Sequence, residues 1–130
     1  MAAQLKRKCS AFVAHSKKRS KLAPPDFTAA ELYDWTALQE QGSDVWQCQY
    51  CRNPIGIDLL QFDHRVPLAW HTRRVSMNDL TICCKRCNQL KGQMSGDAFD
   101  VLLKAIKTMD PSSVRDLESR LLGAGRYRRR

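Results

Sequence analysis

Two Cys-x-x-Cys pairs, Cys48/Cys51 and Cys84/Cys87, enclose a stretch of 32 residues, Arg52 to Cys83. Four thiols at this spacing have the ligand pattern of a tetrahedral zinc site, which ties two distant turns of chain to one point. That closure leaves few folds open, because whatever lies between must begin and end in the same place. At 130 residues the chain is one domain, and a core of that size gains from a structural metal. Disulfides are the rival use of six cysteines. Residues Met1–Leu22 hold no apolar run of signal-peptide or membrane-span length, so a reducing compartment with thiolates on zinc is expected. Cys83 competes with Cys84 for the second pair, but Cys84 alone matches the two-residue spacing. Cys9 and Cys83 are read as free thiols.

The net charge of +9 is unevenly placed. Residues 1–22 carry seven cations and no acid, and Arg126-Tyr-Arg-Arg-Arg130 adds four more. These segments read as a flexible basic arm over residues 1–25 and a basic tail over residues 123–130. Such arms contact phosphates without reading sequence, although solubilising tails and a nuclear address at Lys17–Lys21 share the same composition. Between residues 63 and 92, Arg65, Arg73, Arg74, Lys85, Arg86 and Lys91 face only Asp63 and Asp79. This local excess fits a polyanionic substrate, or a solvated loop face.

After the stiff break at Pro24-Pro25, Thr28 and Glu31 have the capping-box form. A helix is expected over 28–41, with Leu32, Trp35 and Leu38 as its apolar stripe, packed on the zinc region through Trp35, and Gly42 beyond its end. Trp46–Pro54 reads as a zinc knuckle. Leu59–Phe62 is a strand leading into Asp63-His64, a loop follows Pro67, and Leu80–Cys84 is the returning strand. A helix then carries Asn88 and Lys91 on one side. Helices at 96–108, with Phe99, Leu102, Leu103 and Ile106 inward, and at 111–122, ended by Gly123, complete one folded unit over 26–122. The fold class is α+β: strand, loop, strand and helix, with one candidate ligand at the first strand's end and another on the helix, make a ββα-metal unit.

That core has the means to hydrolyse a phosphodiester. His64 suits a general base, since imidazole titrates near neutrality. Asp63 and the amide oxygen of Asn88 are hard oxygen ligands for Mg²⁺ or Mn²⁺. Neighbours on an extended strand point to opposite faces, so Asp63 and His64 serve one site only if the chain twists or bulges there. Asn78 is expected to orient the His64 ring. Lys91 steadies the phosphate or anchors its helix, and His71 is a phosphate contact or a surface residue; His15 is left unassigned.

Cys48-Gln-Tyr-Cys51, Asp63-His64-Arg-Val-Pro67-Leu68, Asn78-Asp-Leu80 and Cys84-Lys-Arg-Cys87-Asn88-Gln-Leu-Lys91-Gly92 together resemble the HNH (His-Me finger) endonuclease family in its zinc-bound branch. The likeness covers about residues 46–92 and departs at the last letter, where Asn88 stands for His. It implies a DNA endonuclease with catalytic His64, Asn78 and Asn88, and a divalent ion, Mg²⁺, Mn²⁺ or Ni²⁺, at Asp63 and Asn88. It further implies structural Zn²⁺ at Cys48, Cys51, Cys84 and Cys87, and 5′-phosphate ends. Phosphate contacts fall to Arg65, Arg73, Arg74, Lys85, Arg86 and Lys91. One such unit holds one active site, so a monomer is expected to nick, and double-strand cleavage needs two copies, as in a weak dimer, or two encounters. With no separate specificity module, targeting falls to a partner protein or to DNA structure. Small free-standing members of this kind are encoded by phages and bacteria, which places this chain in a cytoplasm, or in a nucleus if the host is eukaryotic; no membrane is involved. A zinc-ribbon module that binds nucleic acid without cutting is the alternative, but it leaves Asp63, His64, Asn78 and Asn88 unexplained as a set. Dithiol redox chemistry predicts one active Cys pair, not two.

Overall fold

Two short hairpins bring the thiols together. The computed structural model describes residues 2–19, 24–67, 70–71 and 73–128, the side chains of 19 and 124–128 excepted; Lys21, Leu68, Arg129 and Arg130 lie outside the described residues. Strand β1 (Val45–Gln47) pairs antiparallel with β2 (Pro54–Gly56), Trp46 opposite Ile55. The knuckle between them is closed by Cys48 N–H to Asn53 O and Arg52 N–H to Cys48 O, both 2.9 Å. Arg52 takes the left-handed backbone region (φ +67°) that this tight turn requires. Strand β3 (Leu60–His64) pairs antiparallel with β4 (Leu80–Cys84) in unbroken register, Asp63 opposite Thr81 and His64 opposite Leu80. Gln49 N–H reaches Ile82 O at 3.0 Å and joins the knuckle to β4. Helix α3 (Lys85–Lys91) follows without a loop, with Cys84 as its N-cap: the Cys84 sulfur accepts from Cys87 N–H. The expected α+β order of strand, loop, strand and helix is therefore present.

Helix α2 (Ala29–Leu38) starts with the anticipated capping box at Thr28 and Glu31. Its buried face differs from the expected stripe. Leu38 is 86% exposed and Trp35 only half-buried, whereas Leu32 and Thr36 are fully enclosed. Thr36 belongs inside because its hydroxyl donates to Leu32 O (2.7 Å) and its carbonyl accepts from the buried Trp46 indole (2.9 Å). With both polar groups paired, threonine loses little by burial. Trp46, not Trp35, is the tryptophan of the core.

The larger correction concerns the basic arm. Residues Ala2–Arg19 form an 18-residue helix, α1, packed on the core through Leu5, Cys9, Val13 and Ser16. These residues recur at spacings of four, four and three, one face of a helix, so Lys6, Arg7, Lys8, Lys17 and Lys18 occupy the other faces without hindering the docking. Helices α4 (Gly96–Ile106) and α5 (Pro111–Arg128) complete the fold. Phe99 of α4 is fully buried against the edge of the Tyr50 ring, centroids 5.1 Å apart. Helix α5 runs through Gly123 instead of ending there; a mid-helix glycine costs only about 1 kcal/mol relative to alanine. Most of the expected tail is thus helical backbone.

Candidate active site

Cys48, Cys51, Cys84 and Cys87 place their sulfurs within 4.8 Å of one another. Zn–S bonds of about 2.3 Å in a tetrahedron need sulfurs about 3.8 Å apart, and Cys51 and Cys84 stand at 4.0 Å. Cys84 N–H points at the Cys48 sulfur (3.3 Å) and Cys87 N–H at the Cys84 sulfur (3.4 Å), donors that favour thiolates. Hydrogen bonding from the Cys87 thiol holds Cys48 down to about 4, while the same contact and burial push Cys87 far up. The first proton thus leaves easily, and the cluster is positioned to bind a metal and to lose its remaining protons to solvent as it does so.

Beside this clamp lies a cavity of about 450 Å³ lined on one side by Gln61, Asp63, His64, Asn88 and Lys91, and on the other by Lys8, Phe12 and His15 of α1. Asp63 and His64 both reach it, although the register between β3 and β4 carries no bulge. A two-stranded ribbon twists strongly, and its end turns both side chains towards one space. Asp63 is 8% exposed and accepts from the Tyr50 hydroxyl at 2.8 Å. Lys91, 2% exposed, reaches its two carboxylate oxygens at 3.1 and 3.3 Å and donates to His64 O at 3.2 Å. Burial and the Asp63 charge push the Tyr50 hydroxyl far above its ordinary range, so it remains a donor. His64 Nε2 is buried without a hydrogen-bond partner among the described residues. Its pKa is lowered, chiefly by burial, which keeps the imidazole neutral and able to accept a proton. The ring lies against Phe12, centroids 5.4 Å apart and planes 27° from parallel, with the His71 ring edge-on at 6.3 Å. Asn88 gives its amide N–H to Gln61 Oε1 at 2.6 Å, leaving its own oxygen without a partner among the described residues.

A half-buried imidazole with an enclosed Nε2, a carboxylate and an amide thus line one cavity, next to a four-thiol cluster able to hold a metal. Residues 48–94 match the family described as HNH endonuclease. The segment belongs to the HNH endonuclease family. Over 63 residues, 48% of this chain, the sequence is 36% identical to the CRISPR-associated endonuclease Cas9 of Corynebacterium diphtheriae. The chain spans only 6% of that protein. No solved structure matches significantly. Among the described residues, no helix is long and apolar enough to cross a membrane.

Within the HNH unit, Asp63, His64 and Asn88 share the cavity, whereas Asn78 does not. Asn78 is exposed in a 3-10 turn (Met77–Asp79) and lines a smaller hollow with Arg65, Asp79 and Gly96. The expected phosphate contacts are largely committed elsewhere. Arg65 pairs with Asp97 (3.0 Å) and Asp100 (2.7 Å), and Arg73 with Asp79 (2.9 Å). Arg86 pairs with Glu118. Arg74 donates to Pro24 O and Pro25 O. Lys91 is buried on Asp63, which removes it from any surface contact: the carboxylate it neutralises would otherwise be a buried, unpaired charge. Lys85 alone of the six is exposed with neither an ion pair nor a side-chain hydrogen bond among the described residues. His71 holds Val66 O at 3.1 Å. Sequence reasoning missed Tyr50, Gln61 and the α1 wall. The signal for the wall was present in the Leu5, Cys9, Val13, Ser16 stripe, overshadowed by the charges around it.

Proposed function

We propose that this chain is a metal-dependent DNA endonuclease in which His64 is the general base. The observation that carries the reading is the buried, partnerless Nε2 of a neutral His64, in the cavity that also holds Asp63 and Asn88. Nε2 takes the proton of a water aimed at the scissile phosphorus, a role that needs this nitrogen free of other hydrogen bonds. The cation's fit follows from the donors. Asp63 offers about four lone-pair positions, of which Tyr50 and Lys91 use three, and the Asn88 oxygen is free among the described residues. Asp63 and Asn88 would hold Mg²⁺ or Mn²⁺, whose chemistry when bound is to polarise the phosphate and stabilise the leaving oxyanion. The four cysteines would hold Zn²⁺, the usual ion of a tetrahedral S4 set outside iron–sulfur clusters. One such site nicks a duplex, and with α1 included the nuclease unit extends to residues 2–122.

Incubation of zinc-loaded protein with supercoiled plasmid and Mg²⁺, Mn²⁺ or Ni²⁺ tests this. The expected product is open circle, and His64→Ala abolishes it. A variant that still cuts at the parent's rate removes His64 from the chemistry. The Lys91–Asp63 pair favours one competing reading, a zinc module that binds DNA without cutting, since it already neutralises the carboxylate. Retention of DNA without cleavage under every metal would support that module.

A further inference from the structure

We infer that Phe12, on a helix outside the matched 48–94 segment, is the residue that positions the His64 ring for proton transfer. The inference rests on the nuclease reading, since it concerns the geometry of that reading's base. A histidine at a strand end is poorly fixed by its own bonds, because the rotation that sets the ring plane is broad. Usually a hydrogen bond to one ring nitrogen supplies the missing restraint. Here Nε2 has no partner among the described residues, and Asn78, the residue expected to orient the ring, is exposed beside a different hollow. Packing is left to do the work.

The packing partner is held in register along the strand. Gln4 Nε2 donates to Asp58 Oδ1 (2.6 Å), Lys8 Nζ donates to Leu60 O (3.0 Å), and Phe12 meets both Phe62 (centroids 5.3 Å) and His64 (5.4 Å). Four helical residues advance about 6 Å and two strand residues about 6.6 Å, so steps of four on α1 match steps of two on β3. Phe62 and His64 point to the same face of the strand, and the Phe12 ring rests on both. The helix itself is pinned to the core by Leu5, Cys9 and Val13. Helix α1 is therefore a splint along β3, and Phe12 is the point at which it sets the imidazole. Lys8 and His15 line the same wall of the cavity.

The test uses the full zinc-loaded chain with Phe12→Leu, which removes the ring, and Phe12→Tyr, which keeps it. In the parent, NMR signals of the His64 ring protons are displaced by the neighbouring aromatic ring. That displacement should vanish in Phe12→Leu and persist in Phe12→Tyr. Single-turnover cleavage should fall about tenfold to a hundredfold in Phe12→Leu, as for a misplaced catalytic group, with DNA affinity unchanged and with recovery in Phe12→Tyr. Should Phe12→Leu loosen α1 by circular dichroism, Phe12→Met conserves volume without a ring and takes its place. A ringless variant with parental His64 signals and parental cleavage rate overturns the inference. If the parent itself cuts no DNA, the nuclease reading fails and the NMR comparison alone decides the contact. Loss of the displacement then sustains the positioning, and its persistence overturns it.

Discussion

At the scale of single residues, the buried pair of Lys91 and Asp63 has the most to lose. Its two members are 2% and 8% exposed and meet at 3.1 Å, and the Tyr50 hydroxyl supplies a further hydrogen bond. Removing one partner strands the other charge, at a cost of about 3–5 kcal/mol, whereas removing both can be nearly neutral. Lys91→Met is therefore expected to destabilise the fold by about that amount, and Lys91→Met with Asp63→Leu to recover most of it. Urea titration of the three proteins decides the matter; equal losses in the single and double variants would show that the pair is not the cause. Cys9 gives a pH signature. Burial raises its thiol from 9.0 to about 11, so the folded state keeps its proton where the unfolded state gives it up. This stabilisation is complete below pH 9 and is lost as pH rises towards 11, with a slope of at most about 1.4 kcal/mol per pH unit. Cys9→Ala should flatten the limb in that window. Chemical denaturation at pH 8, 9 and 10 reads it directly.

At the scale of elements, the thiols and the β3–β4–α3 unit form one cooperative piece. Cys84 ends β4, caps α3 and belongs to the clamp at once, so metal loss disturbs strand and helix together. Chelation of zinc should abolish the helical signal of α3 and the tertiary signal of Trp46, while Mg²⁺ removal leaves both intact. Far- and near-ultraviolet circular dichroism separates the two cases, and an apo protein with the holo spectrum would reduce the clamp to an ornament. This unit was legible in the sequence because its information is local: ligand spacing, the Asp63-His64 dipeptide, the alternation of Leu80–Cys84, the box at Thr28. What escaped was set by partners far along the chain. Thr36 rather than Leu38 faces inward because Trp46 needs a carbonyl. Arg65 is taken from the phosphate side by Asp97 and Asp100, on a helix whose Gly96 comes so close that a Cβ there would stand 2.5 Å from the arginine side chain. Helix α1 escaped because its four inward residues are interleaved with cations, and composition spoke louder than period.

At the scale of the whole molecule, ion pairing decides which cations remain for DNA. The net charge is +9, yet Arg65, Arg73, Arg86 and Lys91 in the HNH region are neutralised by acids of the same chain. Lys6, Arg7, Lys17 and Lys18 stand exposed on α1, the helix that also walls the cavity. On the proposed nuclease reading, an ordered helix beside His64, and not a tethered arm, would carry the phosphate-tracking surface. An ordered array binds without the entropy cost of fixing a flexible chain, and it would hold a bound backbone at a set distance from His64. Each phosphate that is no longer neutralised should reduce the slope of log K against log salt by about 0.9 on duplex DNA. Replacing these four residues by Gln is expected to lower the slope by up to about 3.6 on that basis and to weaken binding at low salt. Arg73→Gln, which breaks an internal pair, should leave the slope unchanged. Fluorescence anisotropy on a labelled duplex at several salt concentrations measures both. A slope that follows Arg73 and ignores α1 would return the DNA surface to the loop after β3.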